Sequence, residues 1–397
     1  MSVTDNNIET SVLVVDDNPK NLQVLGGMLV NEGIGVEFAL NGRAAISWLD
    51  NKDFDLILLD IMMPDMDGYE VCAEIKKNPA TADIPIIFIT AKTDSESIIK
   101  GFETGGVDYV TKPFIPKELI VRVRSQINIK KSKEKIVSYL KVIEQNNKNI
   151  RDSIKYARNI QNAVLNTSST KMGKYPENFI LYLPKDIVSG DFFWYCDLKD
   201  KFILAVMDST GHGVPGAFMS ILGTTLLNDI VLHEKISRPD AIMEHLKTRL
   251  MDTLGQTAGN ITIRDSIEGG VIVYDKENKT IQFSGSFNPL ILIHDKTLTK
   301  IKADRIPIGF YELENNFTLQ SVDIKKGDTI YLFSDGYVDQ FGGPEARKLM
   351  IGRFMELLVN VNEFKMDIQK SILKEFISDW RGDAEQTDDI LVVGMKF

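Results

Sequence analysis

The stretch FDLILLDIMMPDMDG, residues 54–68, decides how the N-terminal third of the chain is read. It opens as a short apolar run that ends on an acid, Asp60, and is then broken by Pro, Asp and Gly. Runs of the same kind lie on either side: SVLVVDD (11–17), IGVEFAL (34–40), IPIIFIT (84–90) and VDYVT (107–111). Between them are stretches rich in Leu, Ala, Glu and Lys, long enough for helical crossovers. Apolar runs alternating with helical spacers predict βαβ units and a parallel sheet covered on both faces. Residues 11–129 are therefore expected to form one doubly wound α/β domain.

In a flavodoxin-like strand order of 2-1-3-4-5, ligands bind at the carboxyl ends of the strands where the order reverses. Asp16 and Asp17 end the first run and Asp60 ends the third, so the three carboxylates are expected to converge. Hard oxygen ligands at that density suit Mg²⁺, which uses few carboxylates and keeps waters that a phosphate can replace. Thr90 ends the fourth run and Lys112 follows the fifth, placing a hydroxyl and an ammonium beside the acids. A single acid at a strand end is usually a solvated loop residue. Five suitable groups at strand ends are harder to dismiss.

With VDDN, LLDIMMPDMDG, FITA and DYVTKPF in place, residues 11–129 resemble the receiver domain of bacterial response regulators. The resemblance implies that Asp60 accepts a phosphoryl group from a sensor histidine kinase and that Asp16, Asp17 and Asp60 hold Mg²⁺. It further implies that Thr90, Tyr109 and Lys112 are the switch residues and that the Lys112–Pro113 peptide is cis.

Composition shifts between about Lys130 and Leu165, where Gly and Pro vanish and single apolar residues recur at helical spacing. With Leu140 at heptad position a, the series continues through Ile143, Asn147, Ile150, Ile154, Ala157, Gln161 and Val164, and backwards to Ile136 and Ile129. A sustained 3-4 alternation predicts a coiled coil, and a polar residue such as Asn147 at an a position fixes register and dimeric state. The segment 130–165 is thus expected to be a homodimerisation linker. A lone amphipathic helix lying on a domain has the same periodicity.

The remainder, 171–397, reads as α+β. Strand-like runs occur at NFILYL, KFILAVMD, GGVIVYD, TIQFSG, PLILIHD, DTIYLFSD and DILVVGMKF, with two long and two shorter helical patterns among them. Asp191, Asp208, Asp335 and Asp388 each adjoin an apolar strand at a turn. Two divalent ions bridged by carboxylates can generate hydroxide and clamp an in-line displacement at phosphorus. The absence of a GxSxG, a Cys–His pair and a P-loop leaves this as the best-supported chemistry, although each Asp alone could be a turn former.

The elements PKDIVSGDFFW, DSTGHGVPGAFMS, SFNPLIL, PIG, GDTIYLFSDGYVDQFGG and TDDILVVG resemble, in family order, the SpoIIE-like, PPM-type (type 2C) metal-dependent serine/threonine phosphatases. The resemblance implies a PPM sandwich holding two Mn²⁺ or Mg²⁺ ions. Asp208 would be the bridging ligand and Ser209 would offer its carbonyl. Asp335 and Asp388 would complete one metal and Asp191 would serve the other, with Asp389 an alternative to Asp388. The phosphate-gripping arginine of eukaryotic relatives has no obvious match, Lys185 being only a weak substitute. His212 could protonate the leaving serine but reads better as a loop residue before a helix. The family's usual substrates are phosphoserine proteins of the anti-sigma-factor-antagonist type. A metal-free adaptor that docks a client under receiver control is the rival reading, and the retained aspartates weigh against it.

Composition narrows the field further. With 43% hydrophobic and 26% charged residues the chain has the balance of a folded globular protein. A net charge of −10 gives no footprint for a phosphate backbone, so nucleic acid is an unlikely partner class. Cys72 and Cys196 form no CxxC pair, which fits a reducing cytoplasm, and no signal peptide or membrane-spanning run is expected.

Overall fold

The computed structural model describes residues 10–91, 95–165, 172, 176–256, 265–311 and 316–397. Lys171, the expected start of the third segment, lies outside them. The chain divides into two compact units, Met1–Asn147 and Lys148–Phe397, with the sequence boundary falling inside one long helix.

In the first unit the chain runs β1 (Ser11–Val15), α1 (Pro19–Val30), β2 (Gly35–Ala39), α2 (Gly42–Leu49), β3 (Leu56–Asp60) and α3 (Gly68–Lys77). It continues with β4 (Ile86–Thr90), α4 (Ser95–Glu103), β5 (Asp108–Thr111) and α5 (Pro116–Leu165). All five strands are parallel, in the order β2-β1-β3-β4-β5. Every residue of β3 and β4 is buried, which is why those runs are continuously apolar rather than alternating. Helix starts follow local chemistry. Asn18 caps α1 with Pro19 in the first turn, and Asp67 and Glu70 form a reciprocal capping box on α3. Gly68 is required by close approach, since a Cβ there would lie 2.4 Å from the Asp60 carbonyl oxygen.

The second unit is a four-layer sandwich. One sheet has the order β13-β10-β9-β8-β7 and the other β12-β11-β14-β17-β6, antiparallel throughout. The strands of the first are β7 (Phe192–Asp197), β8 (Lys201–Ser209), β9 (Ile267–Asp275), β10 (Thr280–Ser286) and β13 (Gln320–Asp323). Those of the second are β6 (Glu177–Leu183), β11 (Leu290–His294), β12 (Thr297–Ile301), β14 (Thr329–Phe333) and β17 (Ile390–Lys396). Phe193, Leu204, Ile272 and Phe283 meet Ile180, Leu332, Leu391 and Val393 in a core between the sheets. Helices α6 (Gly213–Asn228) and α7 (Pro239–Leu254) cover the outer face of the first sheet. Three more belong to the second sheet: α8 (Gly336–Asp339), a single turn after β14, and α9 (Ile351–Val361) and α10 (Met366–Arg381) on its outer face. A short hairpin, β15 (Phe341–Gly342) with β16 (Arg347–Lys348), comes directly after α8.

Two expectations are modified. Helix α6 runs on through a π-helical turn, and Gly213–His233 is long and apolar enough to span a bilayer by composition alone. Its Leu227, Ile230 and Val231 sit in the core between the first sheet and its covering helices, which accounts for that apolar content. The heptad seam also does not continue to the end of α5. Ile136, Leu140, Ile143, Asn147 and Ile150 are exposed, whereas Gln161 and Leu165 are buried in the second unit. Periodicity places an apolar stripe on a helix but does not say what covers it.

Candidate functional site

The receiver acids converge as strand order requires. Asp16, Asp17 and Asp60 each offer an oxygen within 4.8 Å of the others. Asp16 follows β1 and is held by the Asn18 backbone N–H and the Asn21 side-chain amide, both at 2.9 Å. Lys112 Nζ donates to Asp16 Oδ2 and Asp60 Oδ2, each at 2.9 Å. Burial raises the Asp60 pKa even though the Lys112 hydrogen bond and charge act the other way. For Lys112 burial opposes the charge, but hydrogen bonds to Asp16 and Asp60 prevail and its pKa rises. Thr90 and Tyr109 line one pocket, and Tyr109 packs edge-on against Phe102 with ring centroids 6.4 Å apart. The Lys112–Pro113 peptide is cis.

In the sandwich, register explains the second cluster. Phe192 of β7 pairs with Met207 of β8, so Asp191 and Asp208 fall side by side at one sheet end. Phe333 of β14 pairs with Val392 of β17, so the segments carrying Asp335 and Asp388 leave the other sheet together. The two groups meet. The Asp191, Asp335 and Asp388 carboxylates each lie close enough to Asp208 for their charges to raise its pKa. Ser334 Oγ, buried beside them, donates to Asp191 Oδ2 at 2.5 Å. Burial first, and then neighbouring carboxylates, push Asp191 and Asp208 well above the ordinary carboxylate range. Asp335 is raised by burial and then by Asp339 and Asp388. Carboxylates this close require a shared proton or a cation between them, so the donor set fits hard divalent ions.

Asp388 and Asp389 part company. The Asp389 carboxylate accepts the backbone N–H of Lys185 on one oxygen and that of Gly190 on the other, both at 2.7 Å. The Asp389 charge raises the Asp191 carboxyl, and the Asp388 charge raises those of Asp191, Asp208 and Asp335. Gly336 is fixed by close approach, as a Cβ there would stand 1.9 Å from the Asp389 carbonyl oxygen. Ser209 is buried, its Oγ donating to the Gly190 carbonyl at 2.8 Å. Lys185 thus contributes its main chain to the cluster, and His212, exposed, pairs through Nδ1 with Asp186 at 2.8 Å.

The sequence reading missed Ser334, Gln161 and Glu268. Glu268 on β9 stands directly across from Asp208, so its side chain leaves the same face, and it is raised by burial and by the Asp335 charge. An acid opening the strand run IEGGVIVYD was its available signal. Gln161 is placed by the heptad series at an inward position but not as a partner of the cluster, and Ser334 carried no signal, because hydrogen bonds across the fold leave no periodic trace.

Comparison with known proteins places both halves. The model of stage II sporulation protein E matches residues 199–397, half of the chain. The chain belongs to the SpoIIE family. Within this SpoIIE-family chain, residues 12–124 match the response regulator receiver domain, so a receiver is fused to a PPM phosphatase domain. The SiaA-PP2C domain of Pseudomonas aeruginosa superposes with a TM-score of 0.58 at 26% identity, covering 64% of this chain and 98% of that domain. The transcriptional regulatory protein ResD of Bacillus subtilis is 43% identical over 121 residues, 30% of this chain and 49% of ResD. A probable cyclic di-GMP phosphodiesterase of Vibrio cholerae is 41% identical over 126 residues, 32% of this chain and 28% of that protein. The chain therefore spans half or less of these curated relatives.

Proposed function

We propose that the protein is a two-component response regulator in which phosphorylation of Asp60 controls a metal-dependent protein-serine/threonine phosphatase. Its parts are the receiver (11–129), a dimerising linker (130–165) and the phosphatase domain (171–397). The observation that carries the reading is the meeting of Asp191, Asp208, Asp335 and Asp388 from the ends of two sheets. Bound divalent ions would neutralise phosphoryl charge at both sites and act as Lewis acid toward water in the phosphatase.

The chain's own residues do the rest. Asp16 and Asp17, with Asp60, would hold Mg²⁺ in the receiver. Asp60 forms the new bond to phosphorus while the bond from phosphorus to the donor, a sensor histidine kinase or a small acyl phosphate, breaks. Lys112, already bridging Asp60 and Asp16, pairs with the phosphoryl oxygens, and Thr90 and Tyr109 report the change. In the phosphatase, Asp208, Asp335, Asp388 and Asp191 would hold two Mn²⁺ or Mg²⁺ ions, Asp208 as the shared ligand, Asp335 and Asp388 for one ion and Asp191 for the other. Ser334 orients Asp191. Asp389 fixes the Gly190 turn through its two backbone hydrogen bonds, and Asp388 is taken as the ligand of the pair. Ser209 offers its carbonyl beside Asp208. Water oxygen bonds to phosphorus, the serine oxygen leaves, and inorganic phosphate and a free hydroxyl result. The substrate class is a phosphoserine regulatory protein of the anti-sigma-factor-antagonist type, met in the cytoplasm, where free Cys72 and Cys196 stay reduced. Phosphate release from a phosphoserine peptide by the full chain in Mn²⁺, compared with EDTA, tests this directly. Release that is unchanged by EDTA overturns it.

A further inference from the structure

We infer that Gln161 is a positioning residue for the carboxylate cluster, its side-chain amide clamping the turn that presents Asp191. The inference rests on the phosphatase reading above and adds a residue to its machinery. Gln161 is 2% exposed. Its Nε2 donates to the Ser189 carbonyl at 2.6 Å and to Ser220 Oγ at 2.8 Å. Its Oε1 accepts the Ser189 backbone N–H at 3.3 Å. Both main-chain groups of Ser189 thus end on one side chain, as they would on a neighbouring strand.

The residues immediately after Ser189 give the clamp its consequence. The next one, Gly190, donates its N–H to Asp389 Oδ2 at 2.7 Å and accepts Ser209 Oγ at 2.8 Å. Asp191 comes directly after, and Ser189 Oγ donates to its carbonyl at 3.3 Å. A shift of the turn therefore moves Asp191 and Asp389 together. Ser220, the second partner of the amide, also donates to the Ala217 carbonyl at 2.9 Å, tying the clamp to α6. Only an amide supplies a donor and an acceptor in this arrangement. A carboxylate lacks the donor for the Ser189 carbonyl, and a thioether of similar length lacks both. Gln161 lies on α5, the helix that begins at Pro116 in the receiver, so the clamp is carried by the linker rather than by the sandwich.

The test compares Gln161→Met and Gln161→Glu with the parent in the full-length chain. Each carries Asp17→Asn so that receiver metal does not dominate the titration. Mn²⁺ affinity is read by isothermal titration calorimetry, kcat and KM on a phosphoserine peptide, and folding by circular dichroism. The expected result is a Mn²⁺ dissociation constant raised about tenfold or more and a lower kcat, with KM unchanged because Gln161 touches no substrate. Lys155→Ala, on the exposed part of the same helix, should match the parent. Folded Gln161→Met protein with Mn²⁺ affinity within twofold of the parent overturns the inference. If both Gln161 variants fail to fold, Ser220→Ala removes one partner from the opposite side. It should weaken Mn²⁺ binding by a smaller factor, and unchanged binding again overturns the inference. A parent chain that hydrolyses nothing in Mn²⁺ defeats the phosphatase reading itself, which keeps the two failures distinct.

Discussion

Burying Asp191 beside Asp208, Asp335 and Asp389 raises the free energy of every multiply ionised state of the cluster. The direction of the shifts sets the sign of the resulting pH effect. Carboxyls whose folded pKa lies above the unfolded value stabilise the fold fully below about pH 4. That stability is lost as pH rises through the folded values. Without metal, the melting temperature should therefore fall as pH is raised from about 5 to 8. Saturating Mn²⁺ should flatten the slope, because a cation takes the place of the shared proton. Melting curves in EDTA and in Mn²⁺ across that range check it, and parallel slopes count against a cation site. Asp208→Ala or Asp335→Ala should abolish metal-dependent hydrolysis, a loss of at least about a hundredfold, in protein whose circular dichroism is unchanged. Asp60→Asn should take up no phosphoryl group from acetyl phosphate by intact-mass spectrometry. Much of this was legible in the sequence, because each acid adjoins an apolar run and strand order brings run ends together. The different surroundings of Asp388 and Asp389 were not legible, since they depend on which carboxylate receives the Lys185 and Gly190 N–H groups.

At the scale of elements, α5 has two kinds of surface. Its middle exposes Ile136, Leu140, Ile143 and Ile150 in a stripe, the seam that a second copy of the helix would cover. Its last turns bury Gln161 and Leu165. Heptad reading ran these together because a stripe docked on a domain and a stripe facing a partner helix share one period. Replacing Ile143 and Ile150 with polar residues should convert a dimer into a monomer by light scattering. It should also uncouple hydrolysis from Asp60 phosphorylation while basal hydrolysis continues. Coupling of this type is typically about 1–3 kcal/mol, or roughly 5–150-fold in an equilibrium. A monomeric double mutant that keeps its full response would reduce the linker to a tether. The strands were easier to read than the linker. The buried runs of β3, β4, β14 and β17 are continuously apolar, whereas the edge strands β12 and β13 are short, polar and half exposed and left little pattern.

Across the whole molecule, an acidic chain joins two domains that each gather carboxylates at the ends of strands, one around Asp60 and the other around Asp208. The fold of both was legible because each has its own cores, built from apolar runs of the right length. How one domain would govern the other was not legible, since control depends on the energy difference between two states of the same contacts. The most direct measurement is the rate of phosphate release from a phosphoserine peptide by the full chain in Mn²⁺, before and after treatment with acetyl phosphate, alongside Asp60→Asn. The account predicts metal-dependent release whose rate changes severalfold on phosphorylation of the wild type and not at all in Asp60→Asn. Release that is absent in Mn²⁺, or that responds equally in both proteins, would contradict it.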